Sequence, residues 1–358
     1  MCKYFLFLSV FVISICGCEK SQSINHVIVY KESGRFAGWP ANHGIWSWGD
    51  EIVVGFRLGY FKIKTGHAID PDKPAVTRFA RSLDGGQTWT LEIPSYLDEN
   101  GNEPEPTGCP GGIDFTHPDF ALRVRRSNFY TSLDRCKTWK GPYKLPGFGR
   151  KAILARTDYI VNDRYDLLAF MAAAKDDGKE GWPFCVRTRD GARTWEFLSW
   201  IGPQPADGGY AIMPSTVRLS ETGLLTMIRR KAIKGDERLY WIEAYTSQDN
   251  GKSWEFLNKP TETLEGNPGH LIRLKDDRLL LTYGYRASPY GIRAKLSSDN
   301  GQSWGEEIIL RDDGGNWDLG YPRTVQRPDG KVVVVYYFND HENQERYIAA
   351  TIWDPSLY

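Results

Sequence analysis

Three histidines stand in polar clusters early in the chain. His43 lies in Trp39-Pro40-Ala41-Asn42-His43-Gly44, His67 in Gly66-His67-Ala68-Ile69-Asp70-Pro71-Asp72, and His117 in Asp114-Phe115-Thr116-His117-Pro118-Asp119. An imidazole titrates near neutral pH, so each could act as a general acid or base. Asp70 and Asp72 add carboxylates to the second cluster, although Asp-Pro-Asp also suits a solvated turn. A further polar run, Ala155-Arg156-Thr157-Asp158-Tyr159, follows. No Cys-x-x-Cys or His-x-x-x-His spacing points to a metal, and no cofactor is expected.

The elements that would position these groups are announced by one stretch that occurs five times. It begins as Ser82-Leu-Asp84-Gly-Gly86-Gln-Thr88-Trp89 and returns around Asp134, Asp190, Asp249 and Asp299, at spacings of 50, 56, 59 and 50 residues. A period of that size marks a repeated supersecondary unit. The Asp can fold onto amides of a tight turn, and the Trp can bury its ring between neighbouring units. Runs before each turn (75–80, 122–130, 182–187, 239–245, 292–296) read as strands entering a hairpin. Leu167 to Ala174, the most helix-like run, reads as a buried strand in this setting. A period of about 55 residues predicts six units in the chain. The sixth would join N-terminal strand Val27–Tyr30 to C-terminal strand Thr351–Trp353, leaving no free sheet edge. The expected fold is an all-β, six-bladed β-propeller formed as one domain by residues 26–358.

The 358 residues carry 45 Lys plus Arg and 45 Asp plus Glu, a balance that argues against a nucleic-acid partner. Lys3 and the apolar run from Tyr4 to Ile15 read as a targeting segment too short to span a bilayer. The run ends in Ile15-Cys16-Gly17-Cys18, which resembles the lipobox of bacterial lipoproteins. That resemblance implies residues 1–18 as a signal peptide, lipidation at Cys18, residues 19–25 as a tether, and anchorage in the cell envelope. Of the remaining cysteines, Cys109, Cys136 and Cys185, at most two can pair; Cys136 stands where the repeat expects Gly, so Cys109–Cys136 is one possible bridge.

The five repeats together resemble the Asp-box proteins, the bacterial neuraminidase repeat family, above all the sialidases. The resemblance spans most of residues 30 to 345 and implies a glycosidase in which three arginines hold a sugar carboxylate by bidentate donation. It also implies a Tyr nucleophile activated by a Glu, and an Asp acid/base. By position, Arg35, Arg229 and Arg293 match the arginines, with Arg286 a rival to Arg293. Asp72, with Asp70 as substitute, matches the acid/base, and Tyr321 in Asp318-Leu-Gly-Tyr321-Pro322 matches the nucleophile. Strand alternation would turn Arg229 inward and Arg230 away. The family's Arg-Ile-Pro is missing at the first arginine. Met213-Pro214 stands where its Glu belongs, with Glu243 as a substitute from a neighbouring strand. The resemblance implies an exo-acting glycoside hydrolase that releases a terminal acidic sugar, sialic acid or a relative, from glycans. The missing Glu keeps two alternatives open. One is a hydrolase or lyase acting on uronic-acid-capped glycans through His43, His67 or His117. The other is a glycan-binding propeller without catalysis.

Overall fold

The computed structural model describes residues 1, 24–261, 268–342 and 344–358. Cys18, and the signal and tether apart from residues 1, 24 and 25, lie outside the described residues. Six antiparallel sheets follow one another along the chain. Blade one holds β2 (Arg35–Gly38), β3 (Ile45–Trp48), β4 (Glu51–Tyr60), β5 (Val76–Ser82) and β6 (Thr90–Glu92). Blade two holds β7 (Ala121–Arg125), β8 (Asn128–Ser132) and β9 (Lys140–Lys144). Blade three is β10 (Tyr159–Asp163), β11 (Asp166–Ala174), β12 (Glu180–Thr188) and β13 (Glu196–Trp200). Blade four is β14 (Tyr210–Arg218), β15 (Leu224–Lys234), β16 (Glu237–Ser247) and β17 (Glu255–Thr261). Blade five is β18 (His270–Arg273), β19 (Leu279–Tyr285), β20 (Tyr290–Ser297) and β21 (Ile308–Gly314). Blade six is β22 (Gly320–Gln326), β23 (Val332–Phe338) and β24 (Tyr347–Trp353), completed on its outer edge by β1 (Asn25–Tyr30), with Val27 opposite Ala350. The architecture is the six-bladed propeller expected from the repeat period. Leu167 to Ala174 is strand, wholly buried. The run from Leu122 to Tyr130 is two strands rather than one, broken at Arg126, whose φ is +53°.

The repeated turns explain the regularity. Asp84 Oδ1 accepts from the amides of Gln87 and Thr88 at 3.0 and 2.9 Å, and its Oδ2 accepts from Thr88 Oγ1 at 2.6 Å. Ser82 Oγ accepts from Gly86 N at 2.8 Å. The same core bonds recur at Asp134, Asp190, Asp249 and Asp299. Each turn joins the last two strands of its blade. The tryptophans that follow pack on the preceding blade: Trp139 on Phe79, Trp195 on Phe129 and Trp254 on Phe170. Such aromatic pairs add about 0.5–1.5 kcal/mol each beyond the area they bury. Cys136, at the Gly position of its turn, is buried against Trp46 and Trp139, whereas Cys109 packs in a different cluster. The three cysteines among the described residues, Cys109, Cys136 and Cys185, are free thiols, so the Cys109–Cys136 bridge does not form.

Three inner strands are interrupted in the same way. Trp39, Met213 and Tyr321 have φ of +59°, +58° and +51°, and each precedes a proline. A left-handed residue costs on the order of 1–3 kcal/mol, and the proline removes a ladder donor. The strands therefore bulge: the β14–β15 register shifts between Ile212 and Ser215, and the β22–β23 register between Gly320 and Arg323. In blade one the break separates β2 from β3, both of which pair with β4. Ala41, Ile212 and Met213 pack together with Tyr210 and Tyr321 against them. The breaks thus converge at the mouth of the ring.

Candidate active site

The converging groups sit at the end of the ring opposite the five repeated turns. β15 begins at Leu224, which pairs with Ser247 of a repeated turn, and Arg229 lies further along toward the other end. A cavity of about 400 Å³ opens there, lined by Arg229, Arg286, Tyr210, Tyr240, Tyr290 and Trp317. At its wall Arg229 Nη1 donates to the hydroxyl of Tyr321 at 3.0 Å. The Arg286 guanidinium lies 5.4 Å from the Tyr321 ring centre and 5.2 Å from that of Trp317. Burial pushes the Tyr321 phenol up, but Arg229, Arg286 and Arg156 outweigh it and hold its pKa below the ordinary value. Neighbouring Tyr210 goes the other way, pushed up to about 12 by burial.

A second pair stands on the far side of Trp317. His67 Nδ1 lies 2.5 Å from Asp318 Oδ1, and the His67 ring meets those of Trp39 and Trp317 at 5.2 and 5.5 Å. The Asp318 side chain is fully buried. It also accepts from Tyr337 Oη at 2.8 Å, Arg346 Nε at 2.9 Å and Ala68 N at 3.1 Å. Burial pushes its carboxyl up, but His67 and Arg346 overcome this and hold it far below the usual carboxylate range. An ionised Asp318 fixes the imidazole through Nδ1 and leaves Nε2 for a substrate. Tyr337 links the two pairs, since Arg286 Nη2 donates to its hydroxyl at 2.8 Å.

Of the residues singled out by sequence, Arg229 lines this cavity with Arg286 as the second arginine, Tyr321 bonds to Arg229 at its wall, and His67 packs behind the lining Trp317. Arg293 does not join them. It is 2% exposed and donates to the carbonyls of Arg311 and Pro289, with Glu307 3.3 Å away. Shifts in the β20–β21 register on both sides of Ile292 turn it into the blade. Arg35 stacks over Tyr60 at 4.2 Å, away from the cavity. Asp72 is 75% exposed and, with Asp70, clasps Lys62 at 2.8 and 3.3 Å, a surface clamp of the kind the solvated-turn reading describes. Glu243 accepts from Trp241 Nε1 and Tyr245 Oη and lies 3.4 Å from Arg230, on the strand face opposite Arg229. It therefore does not reach Tyr321. His117 Nδ1 accepts from Asp119 N at 3.2 Å as a turn cap. His43 is buried beside a neighbouring cavity, and burial keeps its pKa well below the ordinary imidazole value. Among the described residues no cluster of His, Cys, Asp and Glu could hold a metal.

A six-bladed propeller with an arginine-bound tyrosine at one end is the class that fold and site define. The chain belongs to the BNR repeat-like domain family, whose model matches residues 116–334. No curated protein matches it in sequence. Among solved structures it is similar to a protein of unknown function from Dyadobacter fermentans, at 23% identity and a TM-score of 0.68, covering 92% of this chain and 99% of that one. It is similar to the Penicillium chrysogenum alpha-L-arabinanase complexed with arabinobiose, at 13% identity and a TM-score of 0.61, covering 92% and 97%. It is also similar to the NanB sialidase of Streptococcus pneumoniae, at 11% identity and a TM-score of 0.59, covering 92% and 70%. At these identities the likeness establishes the fold.

Proposed function

We propose that the chain is an exo-acting glycoside hydrolase that releases a terminal acidic sugar. Arg229 and Arg286 would hold the sugar carboxylate, which suits their planar donors, and Trp317 would offer a face to the ring. The observation that carries this reading is the Tyr321 hydroxyl bound to Arg229, its phenol made more acidic by three guanidiniums. The phenolate would attack the anomeric carbon while protonated His67 gives its proton to the departing glycosidic oxygen. Neutral His67 would then take a proton from the water that cleaves the tyrosyl–sugar bond. This assigns the acid/base role to the His67–Asp318 pair. The glycosidase names among the structural neighbours agree with this chemistry class.

One observation favours a second reading. Tyr321 meets an arginine rather than a carboxylate, so it is equally suited to moving a proton. On a glycan whose uronic acid carries a sugar on O4, a base would take the C5 proton next to the carboxylate, the O4 oxygen would leave protonated with the departing sugar, and a C4=C5 double bond would form in the uronic acid. Incubating the protein with sialyl-capped oligosaccharides, and with uronate-capped ones that also hold a 4-substituted uronate, separates the two. Released saturated sugar supports hydrolysis, and new ultraviolet absorbance supports elimination. Neither product from either set would sink both. The proposal also includes export and lipid anchorage at Cys18, which metabolic labelling with a fatty acid and loss of label in Cys18→Ser would test.

A further inference from the structure

A second cavity, of about 310 Å³, adjoins the first at the same end of the ring. Trp39, the partner of His67, and Arg156, which acts electrostatically on Tyr321, both line it. Its walls carry four arginines: Arg57 from β4, Arg125 and Arg126 from the β7–β8 turn, and Arg156 ahead of β10. Two of these have carboxylate partners. Arg125 Nη1 bonds Glu103 at 2.5 Å, and Arg156 pairs with Glu180 while donating to Asn42 Oδ1 at 2.8 Å. Arg57 and Arg126 have no side-chain hydrogen bond or ion pair among the described residues. His43, buried in the same wall, has its Nδ1 unpartnered. Burial and the neighbouring Arg125 push the Arg57 guanidinium down to about 10, against the Glu103 carboxylate, which raises it.

The cavity is thus a pocket in which four guanidiniums face two carboxylates and two of the guanidiniums lack a direct ion-pair partner, set beside the groups proposed to act on the terminal sugar. Arg57 is half-buried and Arg126 exposed at the rim, and a like-charged cluster at a cavity wall is relieved by an incoming anion. A neutral aglycone would gain nothing from it. We propose that this cavity is a subsite for a sulfate or carboxylate group on the sugar next to the terminal one, read by Arg57 and Arg126, so that the preferred glycan carries acid groups on both residues. This rests on the reading of the first cavity as the terminal-sugar site.

The test is calorimetric and needs no turnover. Binding of the unsulfated chondroitin disaccharide is compared with that of its 6-sulfated form, in the wild type and in Arg57→Gln, Arg126→Gln and Arg229→Gln. The expected result is a sulfated-to-unsulfated preference of about tenfold or more in the wild type, shrinking as salt screens the charges. Arg57→Gln and Arg126→Gln should each cut that preference severalfold, with unchanged thermal melting. Arg229→Gln should weaken both ligands alike and leave the ratio intact. A wild type that binds both forms equally, or neither, overturns the subsite, as does a ratio untouched in both Arg57→Gln and Arg126→Gln. If Arg229→Gln alone changes nothing while the ratio still falls in the other two variants, the second cavity stands and the terminal-sugar reading fails.

Discussion

Tyr321 of blade six and Arg229 of blade four meet across the axis through a hydrogen bond of 3.0 Å. Neither side chain could find the other without the left-handed turn at Tyr321, which swings the phenol out of the β22 ladder. Removing the hydroxyl while keeping the ring should spare the fold and damage the chemistry. Tyr321→Phe is expected to lose ~10²-fold or more in kcat with little change in melting temperature. The pH profile gives the sign. A phenol held below its ordinary pKa supplies phenolate at lower pH than a free tyrosine, so activity should rise along a limb below pH ~10. Arg229→Gln should move that limb upward.

The imidazole of His67 should matter through proton transfer. His67→Gln is expected to lower kcat by about 10²- to 10⁴-fold and to remove one limb of the profile. A leaving group that needs no proton, such as a nitrophenol, should recover much of the loss. Equal losses on both substrates would count against an acid role.

Asp318 should matter to the fold as well as to His67. Its depressed pKa means that its contribution is present above the usual carboxylate range and drains away as acid protonates it. Asp318→Asn leaves Arg346 buried without its ion-pair partner, so a loss of about 3–5 kcal/mol is expected in denaturant unfolding at pH 7. The variant should also flatten the acid limb of stability.

The ring was legible because one turn device repeats, and its Asp, Gly and Trp each have a local physical task. Arg229 was matched through the family resemblance, and strand alternation separated it from Arg230. Arg293 and Arg286 looked interchangeable in sequence, and a local shift in β20 pairing buried one and left the other at the cavity. The loop matched to the acid/base carries His67, which pairs with Asp318, whereas Asp72 stands exposed against Lys62. That partner lies 251 residues away, and no local pattern signals it. Arg57 and Arg126 lay inside ordinary-looking strands and turns, and only the assembled ring brings them together.

Asp158 offers a stability test independent of catalysis. Burial raises its pKa to about 7, against Arg323 and two hydrogen bonds from Thr216 that lower it. The native state then holds a proton between pH ~4 and ~7 that the unfolded chain has released, so stability should fall across that window and level off above it. Asp158→Asn should match the wild type near pH 4 and exceed it by about 1–3 kcal/mol at pH 8. Urea midpoints across pH would check this, and parallel curves for the two proteins would contradict it.

β1 starts on the side of the ring away from the arginines. Asn25 pairs with Ile352, at the end of β24 remote from the cavities, which puts the start of β1 at the underside of the ring. Any leash fixed there would hold the protein like a dish on a stem, with its arginine-lined bowl turned to whatever large polymers drift past rather than to the surface that carries it.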